Sequence, residues 1–173
     1  MGSGTVWDHE DRLLSALVPA IRNRRVALVG NARSLLGQPH GREIDSCDLV
    51  IRLNTAPDQE PGSHGTRTDW LAVSTIVPRQ RICSLAPRRR FWMSPRRRRQ
   101  ALAVHGWRMP VSFFPHSWWK DLAARLGSRP STGLMTIDML VRAGGYSRVV
   151  LFGFDFFQSP SLSPRGLAAP PPH

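Results

Sequence analysis

The chain has 173 residues, of which 24 are lysine or arginine and 12 are aspartate or glutamate, giving a formal net charge of +12. This length is typical of one domain. A hydrophobic fraction of 41% with 21% charged residues excludes wholesale disorder. The excess positive charge indicates an anionic partner, such as a nucleic acid, an acidic membrane surface or a phosphorylated ligand. Lys120 is the only lysine, and a GC-rich coding sequence produces the same skew toward arginine, so part of the charge need not serve a function.

The cysteines and the N-terminus bear on the compartment. Cys47 and Cys83 lack the close spacing of a metal site, and a reducing compartment is the simpler interpretation, although one disulfide stays open. Residues 1–12 carry acidic side chains where a signal peptide needs a basic segment and an apolar stretch. No apolar run reaches the roughly 20 residues of a membrane-spanning helix. We therefore expect a cytoplasmic protein that is soluble or peripheral to a membrane.

The first half of the chain alternates helical and strand patterns. Apolar residues recur at helical spacing over residues 11–22, although Pro19 interrupts the pattern. Short apolar runs predict strands at 25–29, 48–53 and 69–74. Between them, residues 30–36 predict a turn entering a helix or loop, and residues 54–68 are rich in Pro, Gly and polar residues and predict a loop.

The second half continues the alternation. Helical spacing and a C-terminal Gly127 predict a helix over residues 116–126, and Ser131 or Thr132 can cap the next helix, which stops at Gly144–Gly145. In that helix we expect Asp138 and Arg142 to pair. Its expected buried residues are Leu134, Ile137, Leu140 and Val141. The other predicted elements are a strand at 91–93, a helix from Pro95 to about residue 104, and a strand over 148–157.

Strands that alternate with helices predict the fold class. We expect an α/β fold with a single Rossmann-like, mostly parallel sheet and helices on both faces. Residues 1–158 form this one domain, and the Pro/Ser-rich residues 159–173 are a loop or tail without periodicity.

Two of the predicted strands end on asparagine, at Gly30-Asn31 and at Asn54. Ligands of open α/β sheets collect at the carboxyl ends of the strands, so both amides are expected to face one crevice. An amide suits ribose hydroxyls, a pyrimidine edge or phosphate oxygens, and Gly30 would let a ligand approach the backbone or supply positive φ. The alternative is that each asparagine only caps a turn, which spacing alone favours.

The start of the last predicted helix, Pro130-Ser131-Thr132-Gly133, is a third candidate element. Two hydroxyl groups and several unpaired backbone N–H groups make a helix start suited to an anion. The alternative is a helix cap and nothing more. The three elements together do not identify a reaction.

Two longer stretches resemble the sialyltransferases. Residues 26–57, "VALVGNARSLLGQPHGREIDSCDLVIRLNTAP", and the following "GTRTDWLAV" are similar to the large sialylmotif of that family, and residues 129–155, "RPSTGLMTIDMLVRAGGYSRVVLFGFD", are similar to the small one. The resemblance implies a variant glycosyltransferase A-type fold and inverting transfer from a CMP-sugar donor to a glycan or glycolipid acceptor. It also implies no metal and no other cofactor.

Carried over by position, the resemblance assigns residues to the donor. Asn31 and Asn54 would bind the nucleotide and its phosphate, with Gly30 beside them. Ser131, Thr132 and Gly133 would contact the CMP part or the donor carboxylate. A cytidine nucleotide lying across the strand ends would thus explain both asparagines.

The resemblance also implies a catalytic base. The family uses a histidine after the small motif to deprotonate the acceptor hydroxyl, and the only histidine after Asp155 is His173. Either His173 is the base, or the chain binds CMP without turnover. The other histidines in question are expected at the surface; they are His40, His64, His105 and His116.

The chain also departs from animal members of the family, which join two cysteines near these motifs in a disulfide. Arg25 or Val26 and Ala143 or Gly144 occupy those regions here. We interpret the departures as those of a bacterial or degenerate member, for which CMP-Kdo is as reasonable a donor as CMP-sialic acid.

Two arginine runs, Arg88–Arg90 and Arg96–Arg99, flank Trp92 and could form a nucleic-acid surface. No zinc, helix-turn-helix or RNA-recognition pattern accompanies them, so no nucleic acid is expected. A solvated helix face is the simplest alternative. The runs could equally attract an acidic glycan acceptor or place the protein peripherally on an anionic inner membrane.

Overall fold

The computed structural model describes residues 6–56, 60–96, 99, 101–102 and 110–155, and of residues 6–8 only the backbone. The strands are β1 (Arg25–Val29), β2 (Leu49–Leu53), β3 (Trp70–Val73), β4 (Arg89–Trp92), β5 (Val111–Phe113) and β6 (Arg148–Phe152). The helices are α1 (Val6–Ile21), α2 (Gly41–Asp45), α3 (Pro61–His64), α4 (Arg79–Leu85), α5 (His116–Leu126) and α6 (Thr132–Ala143). A 3₁₀ turn covers Arg33–Leu35.

The six strands form one sheet in the order β5-β4-β3-β2-β1-β6, and every described pairing is parallel. Val29, the last residue of β1, pairs with Arg52 of β2 and with Phe152 of β6. The carboxyl ends of the strands therefore lie along one edge of the sheet. This architecture confirms the predicted α/β fold with a mostly parallel sheet.

Alternation along the strands gives the sheet two covered faces. In β1, Val26 and Leu28 pack in a cluster with α1, α5 and α6, whereas Ala27 and Val29 pack on the opposite side with the 3₁₀ turn and α2. The second face continues over β3 and β4 beneath α4. Burial on both faces explains why these strands are almost continuously apolar.

Helix α1 is longer than the predicted helix over 11–22 and runs through Pro19. Leu13, Leu17 and Ile21 stand four residues apart and are at most 6% exposed against the sheet. Burying three such side chains contributes several kcal/mol, at about 1.5–3 kcal/mol each. This outweighs the roughly 3 kcal/mol that a proline costs inside a helix.

The face that α6 buries differs from the predicted stripe. Met135, Thr136 and Met139 are buried together with Leu140, whereas Val141 is 60% exposed. Thr136 can be buried because its hydroxyl donates to the Thr132 carbonyl at 2.8 Å. The predicted caps and the Asp138–Arg142 pair are confirmed, with Arg142 Nε 2.8 Å from the carboxylate.

The first arginine run is not a continuous basic surface, which corrects that part of the prediction. Strand β4 begins at Arg89, two residues earlier than expected, and alternation buries Arg90 to 3% exposure. Arg88 alone in this run has a largely exposed side chain, at 84%. In the second run Arg96 and Arg99 are exposed. No helix within the described residues is long and apolar enough to cross a membrane.

The structure also tests the predictions for helix α5, the last strand and the two cysteines. Helix α5 and its Gly127 cap are confirmed. The last strand ends at Phe152, five residues earlier than predicted. Half of the predicted helix over 95–104, and the whole of the tail over 159–173 with His173, lie outside the described residues. Cys47 is buried and Cys83 exposed, and both are free thiols.

Candidate functional site

Three segments far apart in the chain meet at the carboxyl edge of the sheet. Asn54 follows β2, Ser74 follows β3, and Thr132 begins α6. The Asn54 Oδ1 accepts a hydrogen bond from the Ser74 backbone N–H at 3.0 Å, and the Thr132 hydroxyl donates to Ser74 Oγ at 2.8 Å. The Asn54 Nδ2 lies 3.5 Å from Thr132 Oγ1. The structure thus brings Asn54 and Thr132 together, as the sequence predicts, through a serine that the sequence did not single out.

Asn54 also has a conformational role. Its backbone φ is +53°, in the left-handed region, where asparagine is among the best tolerated non-glycine residues. Its N–H donates to the Ala72 carbonyl at 2.9 Å, which continues the β2–β3 ladder by one residue. The interpretation of Asn54 as a turn residue is therefore confirmed, and a ligand role would come in addition to it.

Asn31 ties the end of β1 to the end of β2. Its Nδ2 donates to the Leu53 carbonyl at 3.1 Å. Within the described part of the chain its Oδ1 accepts no hydrogen bond, and the side chain is half-buried. Asn31 and Asn54 therefore lie at neighbouring strand ends, with one amide oxygen of Asn31 still available as an acceptor.

Of the two roles that the sequence suggested for Gly30, the positive φ is not observed, and the close approach of a ligand stays a prediction. Its φ is not positive, and a Cβ built on it would lie 2.3 Å from the Gly153 carbonyl oxygen. The same Cβ would lie 3.1 Å from the Phe154 ring, and one built on Gly133 would lie 2.7 Å from that ring. The two glycines of the candidate site therefore make room for Gly153 and Phe154.

Ser131 is the N-cap of α6, and its Oγ accepts from the Leu134 N–H at 3.2 Å. The capping prediction is thus confirmed for Ser131. The backbone N–H groups of Thr132 and Gly133, by contrast, donate to no described residue. These two groups and the positive end of the 12-residue helix face the carboxyl edge and are what an anion would need.

Sequence reasoning missed three side chains of this region, namely Ser74, Arg81 and Phe154. Arg81 lies on α4, which was not predicted; its guanidinium donates to the Thr55 carbonyl at 2.9 Å and to the Ala56 carbonyl. It thereby fixes the backbone that follows Asn54 and places a positive charge beside it. Ser74 could have been found, because it directly follows a predicted strand at the same edge.

His64 is buried rather than at the surface, which corrects the prediction for this residue. It is 2% exposed, its Nδ1 lies 2.7 Å from the Ser63 hydroxyl, and its backbone carbonyl accepts from Arg52 at 2.8 Å. Burial, and next the charge of Arg52, hold the pKa of His64 below its ordinary value of 6.5. The ring is therefore neutral at physiological pH.

We expect the free energy of unfolding to fall as the pH drops below 6.5. In this range the unfolded chain binds a proton at His64, whereas the folded protein, with its lowered pKa, does not. Urea unfolding at pH 7 and pH 5 measures the change. His64→Gln should reduce the pH dependence and the exposed control His116→Gln should not; equal pH dependence in wild type and His64→Gln would contradict the assignment.

The other candidate residues are histidines and possible metal ligands. His40 is partly exposed, 3.4 Å from Glu43, and His116 is exposed. His105 and His173 lie outside the described residues. The part of the chain that the structure describes contains no group of three His, Cys, Asp or Glu side chains able to hold a metal ion.

Comparison with known proteins gives one family and one fold. The model of the family described as "Glycosyltransferase family 29 (sialyltransferase)" matches residues 12–98, half of the chain. Asn31 and Asn54 lie in this match and the Ser131–Gly133 segment lies beyond it.

Two crystal structures of mammalian sialyltransferases share the fold. One, in complex with Gal-beta-1-3GalNAc-ortho-nitrophenol, is 19% identical with a TM-score of 0.55, and the other is 22% identical with a TM-score of 0.59. Each comparison covers 87% of this chain, and 66% and 65% of the respective structures. The chain therefore spans just under two thirds of the length of these structures. On the family match, the chain belongs to glycosyltransferase family 29, the sialyltransferase family.

Proposed function

We propose that this chain is the donor-binding domain of an inverting, metal-independent glycosyltransferase. It moves a sialic acid, or a Kdo-like keto-acid sugar, from a CMP-sugar donor to a hydroxyl group of a glycan or glycolipid acceptor. Membership of the family supports glycosyl transfer. The observation that carries the donor site is the hydrogen-bonded cluster of Asn54, Ser74 and Thr132 at the carboxyl edge, where open α/β sheets bind their ligands.

The start of α6 suits the phosphate of the donor. The N–H groups of Thr132 and Gly133 can donate to its oxygens, and the positive end of the helix stabilises the charge that builds up on CMP as the sugar leaves. The Arg81 guanidinium adds positive charge next to Asn54. In this proposal, protein groups alone neutralise the leaving group, and no metal or other cofactor takes part.

The asparagines suit the nucleoside. The free Oδ1 of Asn31 can accept from a ribose hydroxyl or from the exocyclic amino group of cytosine, which uracil lacks. Asn54 is fixed by Ser74 and Thr132, so its amide is already oriented before a ligand binds. A fixed amide loses little conformational entropy on binding.

The catalytic base stays a prediction. Displacement at the sugar needs a group that takes the proton of the acceptor hydroxyl, and a histidine is suited to this near neutral pH. His173 is the candidate in this chain, and among the described histidines His64 is buried. The second candidate function is CMP binding without turnover, and a transfer assay with CMP-sialic acid and CMP-Kdo separates the two.

A peripheral position on the inner membrane, with the protein in the cytoplasm, is also part of the proposal. Arg88, Arg96 and Arg99 are the exposed arginines of the two runs among the described residues. The burial of Arg90 lowers the number of charges that the first run can present to an anionic surface, where each exposed charge contributes about 1 kcal/mol. No nucleic-acid partner is proposed.

We expect the chain to bind CMP in preference to UMP, AMP and GMP without added metal. Calorimetric titration at two salt concentrations tests this, because binding through arginine charge alone would vanish with salt. Thr132→Val should weaken CMP binding about tenfold, since it removes a hydroxyl bonded at the site. Ser131→Ala should also weaken it.

The matched control is Thr136→Val, one helical turn further along α6. It removes a hydroxyl that bonds only to the Thr132 carbonyl, so CMP affinity should stay at the wild-type value. No preference among the four nucleotides would overturn the donor site. Wild-type CMP affinity in both Thr132→Val and Ser131→Ala would overturn the placement at α6.

A further inference from the structure

A cavity of about 330 Å³ lies beside the candidate donor site. Its walls are the segment after β4, the outer face of α5 and the turn that joins α5 to α6. The residues that line it include Ser94, Arg96, Trp119, Ala123 and Arg129. Arg129 is three residues before Thr132, and Ser94 follows the strand next to β3, so the cavity opens along the same carboxyl edge. Its volume is near the lower end of the range for ligand pockets and is sufficient for one sugar ring.

Local structure keeps this space open. Ala123 stands one helical turn after Trp119 on α5, and its small side chain leaves room above the indole. Gly127 ends the helix with a φ of +65° and turns the chain back, so that Arg129 reaches the cavity. An aromatic wall with free space above it is a surface on which a sugar ring can pack.

The polar groups of the cavity are donors without acceptors. The side chains of Arg96 and Arg129 are exposed and form no ion pair with any described residue. The indole N–H of Trp119 is shielded from solvent and has no hydrogen-bond partner among the described residues. Ser94 is 4% exposed, its Oγ accepts from the Arg96 N–H at 3.3 Å, and its hydroxyl hydrogen is donated to no described residue.

This donor set defines the chemistry of the ligand. Guanidinium groups bind carboxylate and phosphate oxygens in paired hydrogen bonds. None of the described residues that line the cavity is acidic. We propose that the cavity binds an acidic sugar residue of the acceptor, with Arg96 and Arg129 on its carboxylate or phosphate and Trp119 against its ring. The assignment to the acceptor rests on the proposed function.

The test is to measure the binding of glucuronic acid and of glucose 6-phosphate. The controls are glucose, which lacks the acidic group, and inorganic phosphate, which lacks the sugar ring. Both acidic sugars should bind, and glucose and inorganic phosphate should each bind at least about tenfold more weakly. Chemical-shift changes of the indole N–H signals report on Trp119, whose signal is identified by its loss in Trp119→Phe. Acidic sugars that bind no better than glucose would overturn the proposal, and a phosphate affinity equal to that of glucose 6-phosphate would show an anion site without a sugar subsite.

Variants test separately the two arginine charges and the free space of the cavity. Arg96→Gln and Arg129→Gln should each weaken glucuronic acid binding about tenfold. The matched control is Arg148→Gln, an exposed arginine at the opposite edge of the sheet, which changes the net charge equally and should leave the affinity unchanged. Ala123→Leu should abolish sugar binding by filling the space, with thermal unfolding as the check on folding. Full affinity in Ala123→Leu and in both arginine variants would overturn the site.

CMP titration of the same variants distinguishes this inference from the donor site. All of them should keep the wild-type CMP affinity, because none contacts Asn54, Ser74 or Thr132. CMP binding without acidic-sugar binding would overturn only the proposal that the cavity binds an acidic sugar. Acidic-sugar binding without CMP binding would overturn the proposed donor site, and with it the assignment of the sugar to an acceptor.

Discussion

Replacing Gly30 with alanine should lower the free energy of unfolding by about 3 kcal/mol, since forcing one extra methyl group into a packed site typically costs up to that amount. The new Cβ would lie 2.3 Å from the Gly153 carbonyl oxygen, a backbone atom that cannot rotate away. Relief requires the ends of β1 and β6 to separate, where Gly30 N–H donates to the Phe152 carbonyl at 2.7 Å. Urea unfolding measures the change.

The control is Gly62→Ala, where the added Cβ meets nothing within 4 Å. This residue lies in α3, so alanine should leave stability unchanged or raise it by up to about 1 kcal/mol. The comparison also decides between two explanations of Gly30. Wild-type stability in Gly30→Ala with lost CMP affinity would mean that the glycine makes room for a ligand after all.

The parts of the fold that the sequence predicted are those determined locally. Strands β1, β2 and β3 are short apolar runs between turn residues, and their observed ends agree with prediction within one residue. Helices α5 and α6 carry their own stop and start signals, Gly127 and Ser131. In both cases the deciding interactions lie within a few residues of each other.

The parts that were missed depend on contacts far apart in the chain. Helices α2, α3 and α4 have seven residues or fewer and too little pattern to predict. Arg90 is two residues after the exposed Arg88, and only the start of β4 decides that it is buried. The buried face of α6 could not be predicted because apolar residues surround the helix, and the sheet it packs on selects Met135 and Met139.

For the candidate site, the sequence predicted that Asn31, Asn54 and Thr132 lie at the carboxyl edge of the sheet, but it did not predict the hydrogen bonds that these residues make within the protein. The side chains of both asparagines bond across to a neighbouring strand end, Asn31 to the Leu53 carbonyl and Asn54 to the Ser74 N–H, and neither bond caps the turn of the asparagine itself. A ligand role is compatible with this bond for Asn31, because the side chain is fixed through Nδ2 and presents its Oδ1 in a defined direction. Structural fixing of this kind is what a preorganised binding site needs.

Replacing Arg52 with leucine should cost about 3 kcal/mol of stability, the second large effect we expect, because it removes donors from buried acceptors. Arg52 has no exposed surface, and its Nε donates to the Arg67 carbonyl at 2.8 Å and its Nη2 to the His64 carbonyl at 2.8 Å. Each carbonyl left without a donor costs about 1–3 kcal/mol. Burying the charge of Arg52 also costs free energy in the wild-type protein: burial lowers its pKa to about 10, and its Nη1 has no partner among the described residues. Leucine removes this cost, which offsets part of the loss of stability.

The control for Arg52→Leu is Arg88→Leu, which removes the same charge from an 84% exposed side chain and should change stability by less than about 1 kcal/mol. Arg52→Lys should fall between the two, because one ammonium group can reach only part of the acceptors. Equal stability of Arg52→Leu and Arg88→Leu would mean that water satisfies the His64 and Arg67 carbonyls. The Asn54 contacts do not involve Arg52, so CMP affinity of the folded Arg52→Leu protein should stay within about twofold of wild type, and the loss should appear only in unfolding.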